Sequence, residues 1–463
     1  MEQRGIPFVG DRMKVSIIGA GYVGLVTGVC LAEKGHEVSC VDIVAERVSK
    51  INNKQSLIYE PDLDELLART IDKGSFIATQ DIQWAVDNTD VTIVAVATPQ
   101  GEEGIDLRYI REVSKEIGKI LRHKESYHVV CIKSTVVPST TDTYVASIIE
   151  EHSGKRVGDF GLCMNPEFLR EGNAVADFMK PDRIIIGAED DRSFNVMKDL
   201  YSIFKGVPIL RTNLRTAEMI KYTMNSLLAL LISFSNEIAN ISEAVGNIDV
   251  KEVLNGIKLD KRLNPCINGT PVNPGIPAYL AAGCGFGGSC LPKDINSLVA
   301  FSEKKGYVPD MIKAAIKVNE AQSVRLINRL ERELGDLSHQ KIAVLGLAFK
   351  PDTDDIRQSP SIKIIQQLIK KGANVFACDP VAVDNAKELE LSNVKYSTNY
   401  KDVLRGADAC ILVTKWPEYE SIRPGEFKQL MKTPVIFDGR RVYDKELFKS
   451  SGIKYFGIGL VEA

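Results

Sequence analysis

The chain has 463 residues, 44% of them apolar and 26% charged, with a formal net charge of −3. That balance fits a globular protein of roughly three domains and offers no basic surface for nucleic acid. No apolar run reaches ~18 residues, so no membrane-spanning helix is expected.

The opening MEQRGIPFVGDR has charges but no apolar core of a leader. No secretory signal is read there, and residues 1–12 are expected to form a flexible lead. From Met13 the chain reads KVSIIGAGYVG, an apolar strand running into Gly19-Ala20-Gly21-Tyr22-Val23-Gly24. A bare GxGxxG is weak. Here a strand precedes it, a helical LVTGVCLAEKG follows, and Asp42 ends the next strand, which together make a dinucleotide fingerprint. The glycines allow a tight turn and let pyrophosphate approach backbone N–H groups at a helix N-terminus. Asp42 would accept from ribose hydroxyls and repel a 2′-phosphate, favouring NAD over NADP.

Arg47 lies either along the adenine ribose or in solvent. Thr98 in VATPQG and Thr135 in KSTVVP end apolar strands. Hydroxyls there meet a nicotinamide half or cap turns, and the pattern does not separate the two. Glu167, in MNPEFLREG, reads as a general base or water holder, or as a solvated loop carboxylate.

Residues 216–246, TAEMIKYTMNSLLALLISFSNEIANISEAVG, lack proline and hold glycine only at the end. They predict a long helix, apolar over much of its circumference and so buried on several sides. It is expected to join two domains and form part of a dimer interface. Lys221 and Asn225, at i and i+4, share one face, as a polar surface stripe or as an oxyanion-stabilising pair.

The run 283–294, GCGFGGSCLPKD, is too glycine-rich for a helix or strand interior and predicts a loop whose backbone comes close to something. Cys290, beside Lys293, reads as an activated nucleophile in preference to a structural thiol. The nine cysteines are scattered and odd in number, which fits free thiols in a reducing compartment, the cytoplasm. Cys284 and Cys290 do not form a CxxC pair, and no metal site is expected. None of the five histidines sits in a motif, so a histidine proton shuttle is not expected.

Further on, KIAVLGLAFKP, GANVFACDP and DACILVTKWP repeat the order of the N-terminal part: a strand entering a turn, a strand ending in Asp, a strand led by Asp. This is internal duplication. The expected class is α/β, with two Rossmann-like, doubly wound parallel-sheet domains joined by a long central helix and a helical dimerisation region. The expected boundaries are 13–205, 206–329 and 330–463.

GAGYVG, STVVP, NPEFLREG, EMIKYTMN, GFGGSCLPKD, GLAFKPDTDDIRQSP and FDGRRVYD occur in this order. With them the chain resembles the nucleotide-sugar 6-dehydrogenases, most closely those that act on UDP-glucose, over nearly its whole length from Met13. GFGGSCLPKD together with GLAFKPDTDD is highly specific. The resemblance implies a four-electron oxidation of a sugar C6 alcohol that uses NAD twice. Cys290 would hold the carbon first as a thiohemiacetal and then as a thioester, which water hydrolyses.

Lys221 matches the residue that stabilises oxyanions and Asn225 its substrate-side neighbour. Glu167 and Asp294 match acid–base and water-positioning carboxylates, and Thr135 a threonine beside the water and nicotinamide. Lys293 and Arg357 match cofactor contacts, beside Tyr22, Val23 and the glycines of the first turn. Phe168, Leu169, Arg170, Lys350 and Arg441 match sugar-nucleotide contacts, with Phe286 and Gly287 in the cysteine loop. GLAFKP departs from GxGxxG at Ala348 and Phe349 and suits a diphosphate with a Lys350 contact, the place where the family binds uridine diphosphate.

Arg262 matches an arginine supplied by a partner subunit, and Tyr279 an aromatic near the base. The connection between Arg262 and the cysteine loop is longer than is usual in the family. YLAAGCGFGGSCLPKD is also similar to GDP-mannose 6-dehydrogenases, the alternative substrate class, while GGSC in place of GGHC argues against an N-acetylated sugar. A two-electron hydroxyacid-type dehydrogenase would need neither the cysteine nor the second Rossmann half, and a non-catalytic NAD sensor would not need Cys290, Lys221 and Glu167.

Overall fold

The computed structural model describes residues 12–101, 104–267, 270–271 and 275–461. The expected lead 1–12 lies outside them except for Arg12, as do 268–269 and 272–274 of the proline-rich insert. The chain divides into two compact units, one ending at Thr223 and the other beginning at Met224.

The first unit is built on eight strands: β1 (Lys14–Ile18), β2 (Glu37–Val41), β3 (Phe76–Thr79), β4 (Val91–Val94), β5 (Val129–Ile132), β6 (Gly161–Met164), β7 (Ile184–Ala188) and β8 (Ile209–Thr212). Their order across the sheet is β8-β7-β6-β5-β4-β1-β2-β3. Pairings from β3 through β6 are all parallel. β1 pairs Val15 and Ile17 with Val38 and Cys40 on one side and with Val91 and Ile93 on the other, all buried. Strands covered on both faces read as unbroken apolar runs, which is why the pattern is visible in sequence. The sheet is not parallel throughout: β7 runs antiparallel to β6. The chain between them, with only the short helix Ala174–Met179, turns back without a crossover.

The second unit carries β9 (Lys341–Leu345), β10 (Asn374–Cys378), β11 (Val394–Ser397), β12 (Ala409–Leu412), β13 (Val435–Asp438) and β14 (Lys454–Gly457). All five pairings are parallel, in the order β11-β10-β9-β12-β13-β14. In each sheet the first strand lies between the second and the fourth. The duplication seen as pattern is thus a duplication of topology, with ligand crevices expected where the strand order reverses.

Four helices carry candidate site residues or hold the loops that do: α1 (Tyr22–Glu33), α2 (Leu214–Val245), α3 (Leu291–Lys304) and α4 (Asp310–Leu334). α2 has 32 residues and lies within two residues of the predicted 216–246 at each end. It stops at Gly246, whose φ of +78° takes the left-handed turn that ends many helices. No helix among the described residues is long and apolar enough to cross a membrane.

Candidate active site

The turn between β1 and α1 uses its glycines differently. Gly19, at φ +106°, donates its N–H to the Val41 carbonyl at 2.8 Å, and a Cβ there would lie 2.8 Å from the Ala95 oxygen. A Cβ on Gly24 would lie 1.8 Å from the Gly19 oxygen. These two are required by the chain itself. Gly21 has nothing within 4 Å of its Cβ position, so the middle of the turn is an open cradle at the start of α1. That is the shape a pyrophosphate needs. Asp42 follows β2 with its carboxylate accepting from Ala20 N–H at 3.2 Å and Val44 N–H at 2.9 Å. The exposed Arg47 guanidinium lies 3.5 Å from it. These residues fit NAD, with Asp42 aimed at the turn and a neighbouring cation at the rim.

Tyr22 and Val23 open α1, half-buried. The Tyr22 hydroxyl donates to Glu60, whose carboxylate also accepts from Gly172 N–H at 2.7 Å and Ala174 N–H at 2.5 Å. Glu60, which no sequence motif marks, thereby ties the cofactor turn to the loop after Glu167. Thr98 donates its hydroxyl to the Thr135 carbonyl at 2.8 Å, joining the loops after β4 and β5. The Thr98 hydroxyl thus bridges two strand-end loops, and Thr135 is half-buried.

Glu167 and Lys221 form a buried ion pair, Oε1 to Nζ 2.7 Å, with the Leu169 N–H on Oε2 at 2.6 Å. Burial pushes the Glu167 carboxyl up. The Lys221 charge and hydrogen bond, the Leu169 N–H and the Lys133 charge outweigh it and hold the carboxyl below its ordinary value. The Phe168 ring stands beside the pair, 5.7 Å from the Lys221 ammonium, and stacks under the Arg183 guanidinium at 4.2 Å. Arg170 reaches Asp177 with two charged hydrogen bonds of 3.0 and 2.6 Å.

In the second unit the cysteine loop is pinned from three directions. Asn236 on α2 accepts from Gly283 N–H at 2.7 Å, Asn319 on α4 brackets Phe286 at 2.7 and 3.1 Å, and Gly288 donates to the Arg357 carbonyl at 2.9 Å. A Cβ on Gly287 would lie 2.4 Å from the Gln358 oxygen, and Gly288 has φ +86°. The glycines therefore serve close backbone packing and a left-handed bend.

Cys290 follows as the N-cap of α3, its Sγ 3.5 Å from the Ser289 hydroxyl, at the helix end that favours negative charge. Of the eight cysteines whose side chains are described, it is the one that is not buried. Burial pushes the thiols of Cys30, Cys40, Cys131 and Cys378 up to about 12, leaving them inert at neutral pH. One helical turn on, the buried Asp294 accepts from Asn225 at 2.6 Å and from Lys293 at 2.6 Å. Asn225 itself lies one turn beyond Lys221 on α2.

Arg357 pairs with Asp355 at 2.8 Å, and Lys350 lies 5.6 Å from the Phe349 ring, both in the loop after β9. Arg441 turns inward, to Asp249 at 2.8 Å and the Ile458 carbonyl at 3.0 Å. Its neighbour Arg440 instead lies against the cysteine loop, with its guanidinium 3.4 Å from the Gly285 carbonyl. Arg262 is exposed and paired with Asp260, and Tyr279 is half-buried at the end of a short 3-10 helix.

The turn after β9 repeats the backbone of the first, Gly346 at φ +100° donating to the Cys378 carbonyl at 2.8 Å. Its acid is different. Asp379 is fully buried and accepts from Leu347, Ala348, Val381 and Ala382 N–H groups and from the Trp416 indole at 2.8 to 3.1 Å. Such a carboxylate has no capacity left for a ribose, and Ala348 stands where the open glycine would be. Among the described residues no cluster of acids, cysteines and histidines could hold a metal.

An open glycine cradle at the strand-order reversal, with an acidic acceptor beside it, marks the first unit as the coenzyme half of an NAD-dependent dehydrogenase. Residues 13–205 match the NAD binding domain of the UDP-glucose/GDP-mannose dehydrogenase family, 215–321 its central domain and 343–445 its UDP binding domain. The chain belongs to this family and is a nucleotide-sugar 6-dehydrogenase.

It is 42% identical to UDP-glucose 6-dehydrogenase AglM of Haloferax volcanii, over 93% of this chain and 97% of that one. To UDP-glucose 6-dehydrogenase TuaD of Bacillus subtilis it is 39% identical, covering 96% and 93%. A solved UDP-glucose dehydrogenase from Pyrobaculum islandicum superposes with a TM-score of 0.89 at 36% identity, over 98% of this chain and 99% of that chain.

Proposed function

We propose that the protein oxidises UDP-glucose to UDP-glucuronate through a covalent adduct on Cys290. The observation that carries this is the setting of that thiol: of the eight cysteines whose side chains are described it is the one that is not buried, and it caps a helix behind a loop pinned by Asn236, Asn319 and the Arg357 carbonyl. NAD, held by the glycine turn and Asp42, would supply the hydride acceptor for both oxidations at C6.

Lys221 donates to the oxygen that carries developing negative charge, while Glu167 takes the proton. The Cys290 sulfur bonds to the aldehyde carbon, so that the second oxidation leaves a thioester. Water, held by Thr135, Glu167 and Asp294, then breaks the carbon–sulfur bond, releasing the acid and returning the thiol. Lys293 and Arg357 serve the cofactor. Phe168, Leu169, Arg170, Asn225, Phe286, Gly287, Lys350 and the Arg440–Arg441 pair serve the sugar nucleotide.

The three-domain division at 13–205, 206–329 and 330–463 follows these roles. A homodimer is supported by exposed Leu227, Phe234, Ile241 and Val245, which recur along one face of α2 in the second unit. Such a dimer would let Arg262 act on the site of the partner. Free thiols suit a reducing, cytoplasmic setting.

The test is the yield of NADH per acid formed from purified protein, NAD and UDP-glucose. Two equivalents with uronic acid as product are expected. One equivalent with aldehyde as product would refute the covalent route, and turnover of GDP-mannose alone would favour the GDP-mannose class.

A further inference from the structure

Lys133 follows β5 directly, in VVCIKST, and is buried. Its N–H continues the sheet to the Val94 carbonyl at 2.8 Å, so its backbone position is fixed. Its ammonium donates to Asn165 Oδ1 at 2.9 Å. Asn165 extends the neighbouring strand β6 by donating to the Ile132 carbonyl at 2.9 Å. Its side chain is held by the Ile185 carbonyl at 2.8 Å and the Tyr201 hydroxyl at 2.6 Å. Two residues later the chain presents Glu167. A cation buried on one amide oxygen is costly unless a negative charge nearby offsets it. The carboxylate that acts on Lys133 is Glu167.

We propose that Lys133 is a positioning residue for the Glu167–Lys221 pair: through Asn165 its buried ammonium fixes the strand end from which Glu167 projects, and it adds a positive charge behind the Glu167 carboxylate. The inference rests on the proton-handling role proposed for that pair. Asn165, with Tyr201 on the same amide oxygen, accepts from the ammonium, and the groups whose charge acts on it are Cys131 on its own strand, Glu167, and Lys221 from α2. Cys131 and Tyr201 are neutral at working pH, their protons held by burial, so the charges that matter are those of Glu167 and Lys221. Burial lowers Lys133 itself to about 8, with Glu167 opposing and Lys221 adding to the effect. It is therefore charged below that pH, throughout the range in which the Glu167 carboxyl titrates.

The test compares Lys133→Met and Lys133→Arg with wild type in kcat against pH, using NAD and UDP-glucose. In Lys133→Met the acid limb, set by the Glu167 carboxyl, is expected to move to higher pH, so the variant-to-wild-type kcat ratio falls as the pH is lowered from 7 towards 4.5. Lys133→Arg, which keeps the charge, is expected to leave the limb in place. A merely structural lysine would lower kcat by one factor at every pH. An unmoved limb in Lys133→Met, or an equal shift in Lys133→Arg, overturns the proposal. Should Lys133→Met fail to fold, Lys133→Gln enters the same comparison.

A wild type inert towards nucleotide sugars would refute the proposed function instead. The coupling would then be read from urea midpoints of Lys133→Met, Glu167→Gln and the double variant at pH 7. Non-additive shifts are expected, and additive ones overturn the inference.

Discussion

His128, just before β5, gives a stability prediction that depends on no ligand. The ring is fully buried, with Nδ1 3.0 Å from the Thr89 carbonyl and Nε2 2.7 Å from the Thr92 hydroxyl. A carbonyl can only accept, so Nδ1 carries the proton and Nε2 accepts from Thr92. Ser16, 2.7 Å from Thr92 and 3.0 Å from Thr89, completes the chain of hydroxyls. Burial, helped by the Lys124 charge, pulls the imidazole from its ordinary 6.5 down to about 3. The unfolded chain therefore binds the proton more tightly than the folded one. The stabilising contribution is complete above pH 6.5 and is lost as pH falls through 6.5 towards 3. At pH 5 the loss is 1.5 pH units below the unfolded value, about 2 kcal/mol.

The perturbation is His128→Gln, in a Trp416→Phe background so that Trp84 reports the first unit, followed by urea unfolding at pH 8 and pH 5. Carboxylates and His36 titrate alike in both proteins and cancel in the difference. The wild type is expected to lose about 2 kcal/mol more than the variant on acidification. Equal losses would show that His128 is not held neutral by this network, and the reasoning would fail.

Cys290→Ala is expected to abolish uronic acid formation while leaving the thermal midpoint nearly unchanged, since the side chain is not in the core; acid at the wild-type rate would remove the covalent route. Asp42→Ala should raise KM for NAD several-fold and leave sugar-nucleotide binding, measured by calorimetry, unaltered; unchanged NAD kinetics would take Asp42 out of the cofactor site. Phe234→Glu places a charge in the exposed apolar face of α2 and should shift the sedimentation coefficient towards a monomer at micromolar concentration. A coefficient equal to that of wild type would place any dimer contact elsewhere.

The parallel strands of both sheets were legible because strands buried on both faces leave unbroken apolar runs, and because glycine turns and strand-end acids mark strand boundaries locally. Gly19, Gly24 and α2 follow from such local rules. The antiparallel β7 does not, since its direction is set by how the chain turns after β6, and its run IIIGA looks like its parallel neighbours.

Asp42 and Asp379 show where pattern stops discriminating. Each ends the second strand of a Rossmann half, and by spacing alone the two are equivalent. They differ through Trp416, thirty-seven residues away, and through the backbone groups at 381–382 that consume the second carboxylate. Arg440 and Arg441 are adjacent and alike in type, yet Asp249 draws one inward. Lys133 escapes notice for the same reason: KST reads as a polar strand end, and only the neighbouring position of β6 brings Asn165, and with it Glu167, to the ammonium. A residue's type is written locally. Whether a charge there is a surface ornament or part of the chemistry depends on which strand lies next to it, and strand order is the part of this fold that α/β periodicity does not encode.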